Sequence, residues 1–314
     1  MPIHATLIAE NYAGHLSQGK GLAERAGFSW DFQPVIFRKK GLIPRLVFRS
    51  GFQTLRQIEP VILTPQTEII ISMAGKGSRV AALLGKRYNL PVIQIQDPRM
   101  SVRDFSLVIV NEHDRLRGDK VVTIRTALHG VTEEKLSQAR QKWKPVIRQT
   151  NRRILGVLLG GTNGRYVFEE REAAKLSEQI RDFIILHQME CIITSSRRTS
   201  EKALFLMKTF LQPYGVRFLS GEGEENPYLG ILACSDCLAV TEDSVSMISE
   251  AVATSCPVGI LPLSGHSGRL RSFVEGLQEV GRVVAFDKNM PLLPMEKLDD
   301  TPLAVERIKQ KLKC

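Results

Sequence analysis

Residues 237–247 read CLAVTEDSVSM, an apolar strand that passes directly into the polar first turn of a helix. The strand lacks alternating polar residues, which is typical of strands that are buried on both faces of a parallel sheet. The helix that follows, residues 244–254, repeats its apolar residues at a spacing near 3.6. Asp243 or Ser244 suits its N-cap, because either side chain accepts a hydrogen bond from a first-turn amide. Strand–helix units of this kind predict a doubly wound α/β fold.

The same order of strand and helix recurs through both halves of the chain. The predicted strands cover residues 4–9, 33–37, 68–72, 91–95, 107–110 and 121–124, then 154–159, 190–194, 216–219, 237–241, 257–261 and 282–286. Helical periodicity marks residues 78–88 and 170–187 between them. The sequence therefore predicts the α/β class, with two Rossmann-like domains built on parallel sheets.

The length of 314 residues suits two such domains of about 150 residues each. A charged helical segment, residues 132–150, precedes the fresh apolar strand at 154–159. The predicted domains are residues 1–148, basic and facing the acceptor or membrane, and residues 149–290, which bind the ligand. Residues 291–314 are expected to form a tail whose amphipathic end packs back across the junction.

The charge is divided unequally between the halves. Residues 1–150 contain 23 Lys and Arg against 12 Asp and Glu, a net +11, whereas residues 151–314 contain 20 against 21. A basic surface attracts an anionic partner such as nucleic acid, anionic lipid or a phosphorylated substrate. Nucleic acid is not predicted to be the partner, because the basic residues lack the interleaved aromatic residues on which bases stack.

Residues 37–49, FRKKGLIPRLVFR, mix basic and large apolar side chains. Such a mixture suits the headgroup region of an anionic membrane, although an amphipathic helix lying on the sheet is the alternative. No apolar run approaches the ~20 residues that a spanning helix needs. The expected location is cytoplasmic, peripheral on the inner face of the cytoplasmic membrane. The scattered cysteines and histidines show no metal-ligand spacing, so no metal is expected.

Ligands of open parallel sheets bind beyond the carboxyl ends of the strands, so the strand-to-helix turns are the candidate sites. In the second half, glycine amides, hydroxyls and arginine in three turns suit a diphosphate, although tight turns and surface arginines are the structural alternatives. These turns contribute Gly160, Gly161, Thr162, Ser196, Arg197, Asp243, Ser244, Ser246 and Met247. Glu250, one and a half helical turns further on, is placed to accept hydrogen bonds from a sugar diol.

The first half offers candidate bases. Residues 11–21, NYAGHLSQGKG, are predicted to form a loop after the first strand, with His15 as a general base because its pKa lies near neutrality. A structural histidine is the alternative. Asp97 and Glu112 follow two other apolar strands and are alternative bases, although an Asp-Pro turn is commonly structural.

Several of these motifs resemble the mitochondrial-fission elongated-mitochondria family, which also has bacterial members. The matching stretches are Gly14-His15 to Glu24, residues 96–99, 112–116, 159–161, 194–199, 223–228 and 243–247. The family in turn resembles GT-B glycosyltransferases, which implies two Rossmann-like domains facing a cleft and a nucleotide-sugar donor held by the second domain.

The resemblance also implies residue roles. Gly160, Gly161 and Arg197 would face the diphosphate, together with the amides of Ser246 and Met247. Glu250 would take the ribose diol, and the loop from Asn226 to Tyr228 would lie near the base. The pair Gly14-His15 is similar to the glycine–histidine loop of the lipid-linked N-acetylglucosamine transferase of peptidoglycan synthesis, in which the histidine faces the reacting centre. That loop contains more glycine than this one.

These observations predict a metal-independent glycosyltransferase that uses a nucleotide-sugar as donor substrate and needs no separate cofactor. Its acceptor is expected to be anionic and membrane-linked, as in cell-envelope glycan synthesis. Two alternatives stay open: a non-enzymatic membrane-associated organiser with a degenerate transferase fold, and a nucleotide-sugar epimerase.

Overall fold

A computed structural model describes residues 2–36, 58–221 and 225–312 of the chain. The chain forms two compact units, one made of residues 1–130 and 300–314 and the other of residues 131–299. Within the described residues, each unit contains a parallel sheet of six strands. The predicted α/β class with two Rossmann-like sets of strands is confirmed. The predicted membrane segment, residues 37–49, lies outside the residues that the structure describes.

The first unit has the strand order β2-β1-β3-β4-β5-β6. Its strands are β1 (His4–Ala9), β2 (Ser29–Pro34), β3 (Ile69–Met73), β4 (Val92–Ile95), β5 (Leu107–Asn111) and β6 (Val121–Ile124). Its helices are α1 (Ala13–Ala26), α2 (Ala74–Tyr88) and α9 (Thr301–Leu312), with short 3₁₀ segments at Val102–Asp104 and Glu112–Asp114.

Strand β2 begins earlier than the predicted 33–37, which followed the apolar run after Pro34. Its polar residues are tolerated because they find partners: Asp31 Oδ1 accepts hydrogen bonds from the Thr6 hydroxyl at 2.8 Å and pairs with His4 Nε2 at 3.0 Å. The two faces of the sheet are covered by different helices. Leu22 of α1 and Ile308 of α9 pack on one face, whereas Leu84 of α2 packs on the other.

The second unit has the strand order β10-β9-β7-β11-β12-β14. Its strands are β7 (Ile154–Leu159), β9 (Glu190–Ser195), β10 (Arg217–Phe218), β11 (Cys237–Thr241), β12 (Val258–Leu261) and β14 (Val283–Ala285), and β8 (Tyr166–Val167) pairs with β13 (Ser264–Gly265). Its helices are α3 (Glu133–Ile147), α4 (Glu170–Leu186), α5 (Glu201–Leu211), α6 (Tyr228–Cys234), α7 (Val245–Val252) and α8 (Gly268–Glu279). Helices α3, α6, α7 and α8 cover one face, and α4 and α5 cover the other.

Both sheets reverse their winding direction beside their first strand. In the first unit β2 lies on one side of β1 and β3 on the other. In the second unit β9 lies on one side of β7 and β11 on the other. The connections after β1 and β3, and those after β7 and β11, leave in opposite directions, which opens a crevice at the carboxyl ends, the usual ligand position in such sheets. The candidate residues after β7 and β11 lie at this point.

Candidate functional site

A buried carboxylate ties together three strand ends of the second unit. Asp243, whose side chain is fully buried, accepts hydrogen bonds from the Thr241 hydroxyl at 2.7 Å and the Gly161 amide at 3.1 Å. Its Oδ2 also receives the Arg198 guanidinium at 2.9 Å, from the turn after β9. The Gly160 amide donates to the Thr241 hydroxyl at 2.7 Å. Thr241 and Asp243 therefore satisfy internally the amides of Gly160 and Gly161, which the sequence offered to a diphosphate. We call this group, Gly160, Gly161, Arg198, Thr241 and Asp243, the strand-end brace.

The two glycines of the brace are required by close approach. A Cβ on Gly160 would lie 2.0 Å from Asp243 Oδ1, and one on Gly161 would lie 2.1 Å from the Arg198 carbonyl oxygen. By contrast, a Cβ on Gly164, in the same turn, would meet no described atom within 4 Å. Thr162 is exposed and its hydroxyl accepts from the Phe168 amide at 2.9 Å.

Beside the brace, the first turn of α7 keeps part of its capacity for an anion. Ser244 is the N-cap and its hydroxyl accepts from the Met247 amide at 3.4 Å. The amides of Val245 and Ser246 precede the first intrahelical carbonyl partner. Residues 244–247 are half-buried, so this turn is accessible. The positive end of the helix dipole favours an anion at such a position.

A carboxyl–phenol pair lies one to two turns along α7. The Tyr228 hydroxyl, at the start of α6, donates to Glu250 Oε2 at 2.5 Å. Burial raises the pKa of Glu250 to about 7, and the Tyr228 hydrogen bond acts in the opposite direction. Burial and the Glu250 charge raise the pKa of Tyr228 well above its ordinary value, so the phenol stays a donor. Asn226 is exposed, and its side-chain oxygen accepts from the Tyr228 amide at 3.0 Å.

The two neighbouring arginines have different environments. Arg198 is held by Asp243, whereas Arg197 is exposed and makes no hydrogen bond or ion pair with a described residue. Ser196 accepts from the Arg198 amide at 3.2 Å through its hydroxyl. The role of Arg198 was missed in the sequence, where the only available signal was an opposite charge after another strand of the same predicted sheet.

In the first unit, His15 lies in the first turn of α1, so the predicted loop at residues 11–21 is wrong. Its glycines serve packing rather than loop freedom. A Cβ on Gly21 would lie 2.5 Å from the Gly130 amide nitrogen, and one on Gly19 would lie 2.6 Å from Met73 Sδ. Gly14, in the same first turn, is exposed.

The His15 ring is packed against protein. It meets the Tyr12 ring edge-to-face at a centroid distance of 5.4 Å, and its Nδ1 is buried with no hydrogen-bond partner among the described residues. Burial lowers the His15 pKa, and the carboxylate and backbone carbonyl of Glu10 oppose this effect. A neutral imidazole in this environment is able to accept a proton.

The other two candidate bases follow different strands. Asp97 Oδ1 accepts from the Arg99 amide at 2.8 Å in the turn after β4. Glu112 is exposed at the start of the 3₁₀ segment after β5. Strand β3 separates β1 from β4, so these carboxylates and His15 leave the sheet at different strands.

Among the described residues, no group of three or more His, Cys, Asp or Glu side chains is arranged to hold a metal ion. No helix in the described ranges is both long and apolar enough to cross a membrane.

Two parallel sheets, each with its carboxyl-edge turns, define an α/β protein of the GT-B-like fold. The UDP-GlcNAc 2-epimerase from Neisseria meningitidis bound to UDP-GlcNAc superposes with a TM-score of 0.54 at 12% identity, covering 99% of both chains. A UDP-glucosyltransferase from Polygonum tinctorium, capable of glucosylating indoxyl, superposes with a TM-score of 0.54 at 12% identity, covering 100% of this chain and 93% of that one. At this identity the likeness shows the fold alone.

Sequence similarity identifies the family. The family model described as Mitochondrial fission ELM1 matches residues 13–312, and the chain belongs to this family. The mitochondrial fission protein ELM1 of Arabidopsis thaliana is 28% identical over 291 residues. That match covers 83% of this chain and 66% of the Arabidopsis protein, so the chain spans just under two thirds of that relative.

Proposed function

We propose that the second unit binds a nucleotide-sugar and that the chain transfers the sugar, without a metal, to an anionic, membrane-linked acceptor in cell-envelope glycan synthesis. The observation that carries the proposal is the pairing of an accessible helix N-terminus with the half-buried Glu250 beside the β7–β11 crevice. Glycosyltransferases and epimerases that share the fold act on UDP-sugars according to their names, which supports this class of donor.

Donor binding would use groups that the brace leaves available. The amides of Val245 and Ser246 and the exposed Arg197 suit the two phosphates, because helix amides and guanidinium groups bind phosphate oxygens well. Glu250 accepts hydrogen bonds from the ribose diol, and Asn226 lies in the loop proposed to face the base. The brace itself fixes the shape of the strand-end turns that it joins.

In the transfer step a ring nitrogen of His15 accepts the proton of the acceptor hydroxyl as its O–H bond breaks. The oxygen's electron pair forms the new bond to the sugar's anomeric carbon. The bond from that carbon to the diphosphate breaks, and its electron pair leaves with the nucleoside diphosphate. Helix α7 and Arg197 stabilise the developing charge on the leaving group. Asp97 and Glu112 remain alternative bases. Basic residues of the first half, net +11 over residues 1–150, suit the anionic acceptor.

Calorimetry with UDP-, GDP-, ADP- and CMP-sugars tests the donor site directly. We expect one base to bind, and Glu250→Gln and Arg197→Met to weaken that binding by about tenfold each, about 1.4 kcal/mol. Arg271→Met is the matched control, because Arg271 is exposed and pairs with Glu275 on α8. Binding of none of the four donors would remove the proposal.

An epimerase is the second candidate, favoured by the fold shared with the Neisseria enzyme. It would convert the donor with no acceptor present, whereas a transferase would leave the donor's sugar unchanged. Donor incubated alone and analysed by chromatography separates the two. Peripheral membrane contact through residues 37–49 is a further part of the proposal, and sedimentation with anionic and neutral vesicles tests it.

A further inference from the structure

A serine, a histidine and an aspartate of the first unit are joined by hydrogen bonds at a place that the proposed function does not use. His4 is the first residue of β1 and Ser29 the first of β2, and the two residues are paired in register. His4 Nδ1 lies 2.9 Å from the Ser29 hydroxyl oxygen, and His4 Nε2 lies 3.0 Å from Asp31 Oδ1. A nucleophile, a base and a group that orients the base are therefore within hydrogen-bonding reach, which is the arrangement that activates a serine.

The contacts decide which ring nitrogen of His4 carries the proton. An ionised carboxylate only accepts hydrogen bonds, so Asp31 requires the proton on His4 Nε2. In the neutral ring Nδ1 is then the acceptor, and the Ser29 hydroxyl donates to it. Asp31 is held in turn by the Thr6 hydroxyl at 2.8 Å and by the Gln33 side-chain amide at 3.2 Å. These donors fix the carboxylate, and through it the orientation of the imidazole.

The exposure of the three residues also suits a nucleophile. Ser29 is exposed, whereas the side chains of His4 and Asp31 are only 16% and 24% exposed. A reagent in solvent can thus reach the hydroxyl, while the base is largely shielded. The cluster lies at the amino ends of β1 and β2, and β1 is six residues long, so about 17 Å separates it from the turns at the carboxyl edge.

We propose that Ser29 is an activated nucleophile that takes an acyl group from an uncharged, activated ester. The Ser29 Oγ electron pair forms a bond to the acyl carbonyl carbon as His4 Nδ1 accepts the hydroxyl proton. The carbonyl π pair moves to its oxygen and returns as the bond to the leaving alcohol breaks. The leaving oxygen takes the proton from His4, which restores the neutral ring. Asp31 is a positioning residue, because it acts through the imidazole.

Two further contacts limit the reaction. The Ser29 amide donates to the Ile3 carbonyl at 3.0 Å, so it is not available to stabilise the oxyanion. Loss of one such donor costs about 10²–10³-fold in rate. Glu68 Oε1 accepts from the His4 amide at 3.2 Å, and its negative charge disfavours anionic reagents. We therefore expect Ser29 to react with esters that have a good leaving group and to release the acyl group to water slowly.

An uncharged fluorophosphonate probe tests the nucleophile on the full chain, with fluoride as the leaving group. Mass spectrometry should find the adduct at Ser29, and Ser29→Ala should remove it. His4→Gln should slow labelling about a hundredfold or more, because it removes the base, and thermal unfolding followed by circular dichroism checks that the variant is folded. Ser101→Ala is the matched control, because Ser101 is also exposed in the first unit but accepts from the Arg103 amide. It should leave labelling unchanged.

Two measurements complete the test without a nucleotide-sugar, so their outcome is independent of the donor site. With p-nitrophenyl acetate, the wild-type protein should release about one equivalent of p-nitrophenol in a burst and then turn over slowly, and Ser29→Ala should lack the burst. In ¹⁵N NMR of the wild-type protein, His4 should carry its proton on Nε2, and Asp31→Asn should change this tautomer and slow labelling. Labelling spread evenly over exposed serines, equally fast labelling in folded His4→Gln, or a proton on His4 Nδ1 at the assay pH would overturn the proposal.

Discussion

Removal of the Asp243 carboxylate tests whether this residue is structural or contacts ligand. Asp243→Ala would leave the Gly161 amide and the Thr241 hydroxyl without their buried acceptor, and Arg198 without its ion-pair partner. Asp243→Asn keeps the shape and one acceptor oxygen, but its amide group cannot accept from the donors that met the second oxygen.

The size of the effect follows from these contacts. A buried donor without a partner costs about 1–3 kcal/mol, and breaking a buried charge pair costs about 3–5 kcal/mol. The Arg198 side chain is 42% exposed, so water recovers part of the loss. We expect the free energy of unfolding to fall by about 3–4 kcal/mol in Asp243→Ala and by about 1–2 kcal/mol in Asp243→Asn. For a unit of about 170 residues, the alanine change corresponds to a Tm lower by roughly 10 °C.

Fluorescence offers an assay for the second unit alone. Trp143 packs over Gly230 within that unit, whereas Trp30 belongs to the first, so a Trp30→Phe background isolates the Trp143 signal during thermal unfolding. Asp182→Ala is the control, because Asp182 is 63% exposed and solvent screens its pair with Arg181, so the change should leave the Tm nearly unchanged. A stable Asp243→Ala protein that has lost donor binding would refute the structural assignment and make the carboxylate a ligand contact.

Three further changes test neighbouring features. Gly160→Ala should lower the free energy of unfolding by about 1–3 kcal/mol in a denaturant titration, because its Cβ meets Asp243, whereas Gly164→Ala should be near neutral; equal effects would contradict the packing. Because burial raises the pKa of Glu250 to about 7, folding takes up a proton between about pH 4.5 and 7, and stability falls as pH rises through this window. Glu250→Gln should therefore raise the Tm at pH 8 and change it little at pH 4, and a pH-independent effect would oppose this reasoning. Arg282 is buried and donates to three main-chain carbonyls, one of the last residue of α7 and two after it, so Arg282→Met should lower the unfolding free energy by about 2–4 kcal/mol in chemical denaturation. An unchanged midpoint would mean that water replaces those bonds.

The strands were predictable wherever the apolar run was continuous. Strands β1, β6, β7 and β11 begin and end at the residues expected from the sequence. The bounds of strand β2 were not predictable, because its polar residues depend on partners from distant parts of the chain, such as Thr6 for Asp31. Helix α1 was read as a loop because glycine is a poor helix former, and only the packing against Gly130 explains why Gly21 is present.

The position of the candidate site was predictable from the sequence, but its hydrogen bonds and its ion pair were not. Parallel strands place their carboxyl ends at one edge, so the turns after β7, β9 and β11 were expected to lie together. The strand order decides which turn supplies a partner for Asp243. In this sheet β7 lies between β9 and β11, which the sequence does not state. That order lets Arg198 reach Asp243 across the end of β7. The environment of Glu250 was equally hidden, since nothing in the sequence pairs it with Tyr228.

The brace also explains how a carboxylate would be compatible with the proposed phosphate site beside it. An unpaired Asp243 charge would repel a diphosphate at the first turn of α7, and low-dielectric surroundings would strengthen that repulsion. The Arg198 guanidinium, 2.9 Å from Asp243 Oδ2, makes the brace electrically neutral. The Gly161 amide and the Thr241 hydroxyl disperse the carboxylate charge further. The Asp243 charge then no longer opposes the positive potential of the helix end and of exposed Arg197. The adjacent arginines thus differ: Arg198 neutralises the Asp243 charge, whereas Arg197 is exposed and is the arginine that we propose binds ligand.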